Sequence, residues 1–490
     1  MAQRLSDLLA CIDYAVPVEK DVLVSALTCD SRQVAPGSLF IAVAGGSHDG
    51  RNFMQQAVVA GAVACLCEAT DEVALPTTDV LIIPVCNLRE KIAVIAAAFF
   101  PSASVSQSIY GVTGTNGKTS CVQFLAQIQT ILGNKVGVLG TAGNGIWPQL
   151  EPSPMTTLSP IGLHATLSDF YTREVDAIAL EVSSHALVQG RVNAVDFNVA
   201  IFTNLTRDHL DYHTDMQAYA AAKTLLFNRP GLAYAVVNWD DPYTPMMMQN
   251  AASGCAWLGF SLRPDAVAEI PLIKLMRYQQ LDRGFLIDID SPWGRAELEL
   301  PLLGIFNVSN VLAVVAALCV SGFDFQRVCS AVTQLQSVTG RMQHLSSITT
   351  AAVIVDYAHT PDALEQALLS LREHCRGKLW CVFGCGGERD RGKRPQMAAI
   401  AERYADCVMV TSDNSRGEST QLIMDDIKAG FAKPSQVMFA ADRALAIARV
   451  VQSAAIDDIV LLAGRGHEVE QNIEGKIIAA SDEELALRTL

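Results

Sequence analysis

The 490-residue chain has no apolar run longer than the ten residues Val311–Val320. A membrane-crossing helix needs about 20 such residues, so no span and no membrane partner are expected. Arg4, Asp7 and Asp13 interrupt the leucines at the start, which breaks the apolar core of a signal peptide and makes the cytoplasm the expected location. Basic residues are scarce: 36 Lys and Arg against 51 Asp and Glu leave a net charge of −15. A nucleic-acid partner requires a basic face and is not expected; an anionic substrate must be held by local donors. The thirteen cysteines form no pair of pairs at zinc spacing. Cys65 and Cys67 stand alone, and others lie singly among apolar residues, as at Cys121, Cys319 and Cys407. They read as small buried hydrophobes in a reducing compartment. Internal repeats and low-complexity tracts are also lacking.

What is present is half hydrophobic and 18% charged, a soluble globular composition long enough for about three domains. Residues 1–87 alternate short apolar stretches such as Ser38–Val43 with turns. Residues 88–339 open with a helical stretch, Leu88–Phe100, and a break, Pro101–Ser104. Strand-like runs follow at Ser108–Thr113, Val136–Leu139, Ala177–Leu180, Val199–Thr203 and Tyr234–Asn238, with helical segments between several of them. Residues 340–490 alternate again: strand Ala352–Val355, helix Pro361–Glu373, strand Lys378–Phe383, helix Gln396–Tyr404, strand Cys407–Thr411 and strand Ile459–Ala463. Strand–helix alternation predicts parallel sheets with helices on their faces, the last block being doubly wound and Rossmann-like.

The most informative stretch is Gly111-Val112-Thr113-Gly114-Thr115-Asn116-Gly117-Lys118-Thr119-Ser120, between a strand and the helical Cys121–Leu132. Glycines let backbone N–H groups turn inward and cradle phosphate at a helix N-terminus. Lys118 would reach the outer phosphates and the Thr119 hydroxyl would hold Mg²⁺. Val112 stands where the usual pattern has its first glycine, so the loop is a variant. Such loops pair with an acid at a strand end that holds the metal; Glu181 is the candidate, with an ordinary strand-end carboxylate as the alternative.

Thr214 and Gln217 form a capping box for a helix that Pro230 stops. On it Met216, Tyr219, Ala220, Lys223 and Phe227 share one face by their spacing. Lys223 thus falls in an apolar stripe, where an unpaired ammonium is costly. Snorkelling to the surface is the ordinary outcome; a depressed pKa that leaves a reactive amine is the other. His209 and His213 have the spacing of helical zinc ligands, but the glutamate that should follow the first is absent and the pair precedes the helix. One histidine near Mg²⁺ is the better reading.

Seven segments then occur in order along the chain: Gly114–Thr119, Glu181–His185, Thr206–His213, Ala222-Lys223, Phe306–Asn310, Gly340-Arg341-Met342 and Asp356–Pro361. Together they resemble the Mur ligases, ATP-dependent amide-forming enzymes of peptidoglycan precursor synthesis. The resemblance implies three α/β domains: a small one binding a UDP-muramoyl substrate (1–87), a P-loop ATPase-type one with a parallel sheet (88–339) and a Rossmann-like one binding an amino acid (340–490). Asp30-Ser31-Arg32, Pro36–Phe40 and Asp49-Gly50-Arg51 look like the members that add the third residue or the terminal dipeptide, and Asp413–Arg416 and Gly464–Glu468 look like those that add meso-diaminopimelate to UDP-N-acetylmuramoyl-L-alanyl-D-glutamate. Ser415 departs from that pattern, which has proline there. Without the ring's fixed φ a looser loop is expected.

The resemblance implies further that Gly114, Thr115, Asn116, Gly117, Lys118, Thr119 and Ser120 hold the ATP phosphates and that Asn307, Arg341 and Asp356 complete the nucleotide site. Thr119, Glu181, His209 and Lys223 would surround Mg²⁺, with Lys223 carrying a carbamate; Lys118, His209 and Lys223 are the catalytic candidates. Ser31, Thr156, Thr157, Ser183, Gln189 and Arg191 match the UDP-muramoyl-dipeptide site. Arg389, Asp413, Asn414, Ser415, Arg416, Gly464 and Glu468 match the diaminopimelate site. A monomer is expected. Three rivals are weighed: folylpolyglutamate synthetase, a P-loop phosphotransferase that leaves phosphate on its substrate, and a non-catalytic binding protein.

Overall fold

The computed structural model describes every residue except 1, 46–48, 70–74, 76, 102–106, 154, 250, 282–283 and 346–349. Most of the expected break at Pro101–Ser104 therefore lies outside the described residues. The chain gathers into two compact units: residues 1–111, 134–198 and 229–231 form one, and residues 112–133, 199–228 and 232–490 the other.

In the first unit, strands Ala26–Thr28, Ser38–Ala42, Ala62–Glu68 and Leu81–Val85 form a four-stranded parallel sheet in chain order. Leu39, Ile41, Leu66 and Ile83 pack there with Ile92, Ile95 and Phe99 of helix Leu88–Phe99. Strands Val136–Gly140 and Ala177–Glu181 pair in parallel, and the hairpin strands Gly143–Ile146 and Gln149–Glu151 extend that pair antiparallel. Every residue of Ala177–Glu181 is buried, as a strand covered on both faces requires.

In the second unit, strands Val199–Phe202, Tyr234–Asn238, Ala256–Ser261 and Leu272–Leu281 run parallel. Strands Gly284–Ser291 and Gly294–Leu300 then continue antiparallel. These last two hairpin connections depart from the strand–helix alternation read in the sequence. Their burial alternates along the chain, as in strands with one solvated face. The apolar run Val311–Val320 is the body of helix Ile305–Val320, buried from Val311 to Cys319. A helix apolar on all sides belongs in a core; this one packs on helix Lys118–Ile131 and on the strands Tyr234–Asn238 and Ala256–Ser261.

A six-stranded sheet follows in the order Gln343–Leu345, Ala352–Asp356, Ile459–Ala463, Leu379–Phe383, Cys407–Val410, Met438–Phe439, parallel except at its first strand. Strand Ile459–Ala463 comes last in the chain yet lies between the first two long strands. That reversal of order opens a crevice at the carboxyl ends, where doubly wound sheets bind ligands. Asp356, Gly384, Asp413 and Gly464 all lie at or just beyond those ends.

Two smaller expectations need correction. The helix carrying Lys223 runs Met216–Thr224 and is capped by Asp215, which accepts from Ala218 N–H at 2.8 Å; Thr214 is not the cap. It ends before Pro230, in tighter three-residue turns closed by Leu226 and Phe227 N–H. Among the cysteines, Cys65, Cys67, Cys121, Cys319, Cys329, Cys381 and Cys385 are buried, but Cys11, Cys29 and Cys86 are exposed and Cys407 is half-buried.

Leu312, with no exposed surface at the centre of its helix, tests this core. Leu312→Ala should lower the unfolding free energy by about 2–5 kcal/mol in denaturant titration. Ile131→Ala, at a position 41% exposed, should change it by no more than about 0.5 kcal/mol.

Candidate active site

The phosphate loop is built as its residue types suggest. Strand Ser108–Thr113 ends on it and helix Lys118–Ile131 begins from it. Gly117 adopts φ +86°, and a Cβ there would come within 2.5 Å of Asn310 Oδ1, so only glycine fits. The loop is braced by the segment after strand Val199–Phe202. Asn204 O accepts from Thr115 N–H at 2.8 Å, Asn204 Oδ1 accepts from Asn116 N–H at 2.9 Å, and Thr203 Oγ1 donates to Asn116 O at 2.6 Å. Lys118 Nζ donates to the carbonyls of Gly114 and Thr115 at 2.9 and 2.8 Å.

Lys223 reaches the same loop. Its side chain is buried, Nζ donates to Gly114 O at 2.9 Å, and the Tyr219 ring centroid lies 4.5 Å away. Burial, and next the charge of Lys118, push its pKa well below 10.5, against a smaller opposing pull from Asp208. Lys223 therefore does not snorkel; its amine is buried at the phosphate loop, where the charged form is disfavoured.

The remaining nucleotide-site candidates converge here. Arg341 donates to Thr119 Oγ1 at 3.1 Å and stacks 4.2 Å from the Tyr357 ring centroid. Asn307 is buried and accepts from Asn310 at 3.2 Å. Asp356, at a strand end, accepts from Met342 N–H at 2.7 Å and so holds the turn that carries Arg341. Burial raises the Asp356 pKa, with Arg341 opposing.

Sequence reasoning promoted His209 and missed its neighbour Asp208. Asp208 is buried, lies 3.5 Å from His209 Nε2 and 3.7 Å from His359 Nε2, and caps the His209 N–H at 2.9 Å. Burial alone would raise its pKa. The hydrogen bond from His359 and the charges of His209, His359 and Lys393 outweigh that and hold the carboxylate far below its ordinary value. His359 is oriented through Nδ1, 2.8 Å from Tyr357 O. Both residues sit in segments that carry the family resemblance, Thr206–His213 and Asp356–Pro361, so the signal was there. Asp362 was also missed: it accepts from Asn116 Nδ2 at 3.1 Å.

The diaminopimelate candidates occupy the crevice of the six-stranded sheet. Asn414 Nδ2 donates to Glu468 at 2.7 Å, and Arg416 donates to Gly387 O at 2.8 Å and Asn414 O at 3.3 Å. Gly464 has φ +111°, and a Cβ there would lie 2.8 Å from Asp413 Oδ2. Burial, then Asp413, raises the Glu468 pKa. Arg389 is exposed on the neighbouring Gly384–Arg389 loop. The loop is not loosened at Ser415. That side chain is buried and its hydroxyl accepts from Glu474 N–H at 2.9 Å, so a hydrogen bond stands where proline would act through its ring.

Five of the six dipeptide-site candidates form one network in the first unit. Thr157 Oγ1 donates to Glu181 O at 2.8 Å and meets Ser183 Oγ at 3.3 Å, and Arg191 donates to Thr157 O at 2.8 Å and to Gln189 at 2.6 Å. Thr141 donates to Thr156 Oγ1 at 3.1 Å and, through its N–H, to the Glu181 carboxylate at 2.8 Å. Ser31 stands outside this network, opening the short turn Ser31–Gln33.

Of the four Mg²⁺ candidates, Glu181 belongs to the first unit and Thr119, His209 and Lys223 to the second. Among the described residues no three His, Cys, Asp or Glu side chains form a metal-binding cluster. The donor types nonetheless suit a hard cation, which prefers oxygen: a hydroxyl at Thr119, a carboxylate at Glu181 and, if the neutral Lys223 amine is carboxylated, a second anionic oxygen pair.

A phosphate loop on a central parallel sheet, followed by a doubly wound domain with its own polar crevice, defines a nucleotide-dependent ligase, and this one is an ATP-dependent enzyme that forms amide bonds. Residues 23–100 match the description "Mur ligase family, catalytic domain", 112–318 "Mur ligase middle domain" and 340–466 "Mur ligase, glutamate ligase domain". The chain is 46% identical over 470 residues to the UDP-N-acetylmuramoyl-L-alanyl-D-glutamate--2,6-diaminopimelate ligase of Coxiella burnetii, with 96% of each chain covered. It is 45% identical over 472 residues to the protein of the same name from Pseudomonas aeruginosa, again with 96% of each covered. A solved structure of a ligase of that name superposes with a TM-score of 0.70 at 34% identity over 99% of each chain. The chain belongs to the Mur ligase family and has its three-domain α/β architecture. Among the described residues no helix is long and apolar enough to cross a membrane.

The state of Lys223 has a measurable consequence. A lysine whose folded pKa lies below its unfolded value binds fewer protons folded than unfolded between the two, so stability rises with pH across that window. In carbonate-free buffer the melting temperature should gain a rising component from neutral pH towards 10.5, and Lys223→Met should remove it. An identical pH slope in the variant would sink the buried-amine reading.

Proposed function

We propose that the protein joins meso-diaminopimelate to UDP-N-acetylmuramoyl-L-alanyl-D-glutamate with consumption of ATP, making a peptidoglycan precursor. The carrying observation is the crevice of the six-stranded sheet, where Asp413 and Glu468 lie beside Asn414 and Arg416. Diaminopimelate presents an amino-acid end whichever amine reacts. Its far ammonium suits the acidic pair, and its far carboxylate suits an arginine, which offers a two-pronged match. Lysine has the ammonium but lacks that carboxylate. The printed names of the relatives support the same substrates.

The chemistry needs two steps. The D-glutamyl γ-carboxylate attacks the γ-phosphorus of ATP, the bond to the bridging oxygen breaks, and ADP leaves from an acyl phosphate. The free amine of diaminopimelate then attacks the acyl carbon, phosphate departs, and the nitrogen loses its proton as the amide forms. Two anions meet in the first step, so positive charge must be supplied. Lys118, at the mouth of the loop, and the N-terminus of helix Lys118–Ile131 provide it. Mg²⁺, held by Thr119, Glu181, His209 and a carboxylated Lys223, would add Lewis-acid charge neutralisation when bound. The neutral Lys223 amine can add to carbon dioxide, forming an N–C bond and releasing a proton to give N6-carboxylysine. Asn307, Arg341 and Asp356 complete the nucleotide site. Ser31, Thr156, Thr157, Ser183, Gln189 and Arg191 take the UDP-muramoyl dipeptide, and Arg389 joins the amino-acid site. Domain boundaries near residues 87 and 339 divide these tasks. One chain carries motifs for all three substrates, which supports a monomer, and its nucleotide substrates make the cytoplasm its compartment.

Phosphate release with ATP and the UDP-muramoyl dipeptide should be fast with meso-diaminopimelate and slow with L-lysine; the opposite preference overturns the assignment. Arg416→Ala should weaken diaminopimelate by about 2–5 kcal/mol, on the order of 30- to several-thousand-fold, with the KM of ATP unchanged. Lys223→Ala should lose turnover and regain part of it with added short carboxylic acids, which replace the missing anion. Intact-mass analysis showing an unmodified amine in fully active enzyme would exclude the carbamate.

A further inference from the structure

Behind the amino-acid crevice lies a buried ion pair with no part in the reaction above. Arg443, 2% exposed, meets the fully buried carboxylate of Asp482 through two bonds, Nε to Oδ1 at 2.7 Å and Nη2 to Oδ2 at 2.5 Å. Its other bonds go to two backbone carbonyls, Ser412 O at 3.1 Å and Ala463 O at 3.0 Å. Ser412 immediately precedes Asp413–Arg416, and Ala463 immediately precedes Gly464. One guanidinium therefore ties the roots of both loops that line the crevice.

The surroundings extend the tie. Arg465 is fully buried, its Nη1 3.6 Å from Asp482 and its Nε 3.7 Å from Glu468, and it donates to Glu470 O at 2.7 Å. Gln471, also buried, donates to Ser412 Oγ at 2.9 Å and Asp413 O at 3.1 Å, and Asn472 N–H donates to Asn414 Oδ1 at 2.8 Å. Stability does not account for this arrangement. Buried ion pairs contribute little net stability over apolar replacements. A cation in the first turn of helix Arg443–Ser453 also sits at the unfavourable end of the helix dipole. What an arginine does here that an apolar residue cannot is hold a carboxylate and two separate carbonyls in one plane.

We infer that Arg443, locked by Asp482, is a positioning residue for the amino-acid site, setting the spacing between Asp413–Asn414 on one loop and Gly464–Glu468 on the other. The inference rests on the assignment of this crevice to diaminopimelate. Lysine at position 443 keeps the charge but cannot span all three partners. Asparagine at 482 keeps the shape but removes the anion that fixes the guanidinium.

The test is steady-state kinetics of Arg443→Lys and Asp482→Asn by phosphate release, with KM measured for all three substrates and a thermal melt of each variant. Displacing a binding group by about an ångström costs on the order of a hundredfold. The KM for diaminopimelate should therefore rise on the order of tenfold to a hundredfold, while the KM values of ATP and the dipeptide stay put. A folded variant with wild-type diaminopimelate KM and kcat overturns the proposal. So does a parallel loss for all three substrates, or failure of both variants to fold, since either marks a purely structural strut. Wild type that releases no phosphate with diaminopimelate would instead refute the substrate assignment, which keeps the two failures apart.

Discussion

Two lysines donate to a single carbonyl oxygen. Lys118 Nζ and Lys223 Nζ each lie 2.9 Å from Gly114 O. Two ammonium groups this close disfavour each other's charge. Lys118 is half-buried and Lys223 fully buried, so the penalty falls mainly on Lys223. The consequence would reach the chemistry: an uncharged amine beside a phosphate site is a nucleophile towards carbon dioxide, and a carbamate formed there would put a negative charge where the amine carries none. The surrounding braces, Asn204 and Thr203 on the loop backbone and Tyr219 against Lys223, keep Gly114 O where both lysines reach it.

The carboxyl edge of the six-stranded sheet solves a different problem. A zwitterionic ligand needs acids and a cation close together without letting them neutralise one another. Burial, and next the nearby charge of Asp413, raise the pKa of Glu468, and Asn414 accepts and donates there without adding charge. Arg416 is turned aside onto the Gly387 and Asn414 carbonyls, with its backbone in the left-handed region at φ 53°. Backbone carbonyls hold the arginine; under the proposed assignment its charge would meet a ligand carboxylate. Asp208 shows the opposite design. Ringed by His209, His359 and Lys393, it remains ionised although buried, a fixed negative charge near the phosphate loop.

Much of this was legible in the residue order. Strands Ser108–Thr113, Tyr234–Asn238 and Ile459–Ala463 fall where their apolar runs end, because a strand buried on both faces is an uninterrupted apolar run. The strand, loop and helix around Gly111–Ser120 could be read because glycine positions encode backbone geometry directly. Helical spacing alone put Lys223 on the apolar face. The strands of 272–300 escaped; in the first of them alternation is interrupted by the register shift between Leu275 and Arg277. Asp215 displaced Thr214 as cap because either side chain can accept at a helix start, and only the backbone entering the helix selects one.

What the tertiary structure decided is every pairing between distant residues. Periodicity left Lys223 free to snorkel or to stay buried with a depressed pKa; the fold buries it, and burial with the nearness of Lys118, 105 positions earlier in the chain, lowers the pKa. Ser415 looked like the loss of a stiffening ring, until the Glu474 N–H was found on its hydroxyl. Asp208 with His359, and Arg443 with Asp482, carry no local signature, because a hydrogen bond depends on distance in space and the sequence records only distance along the chain.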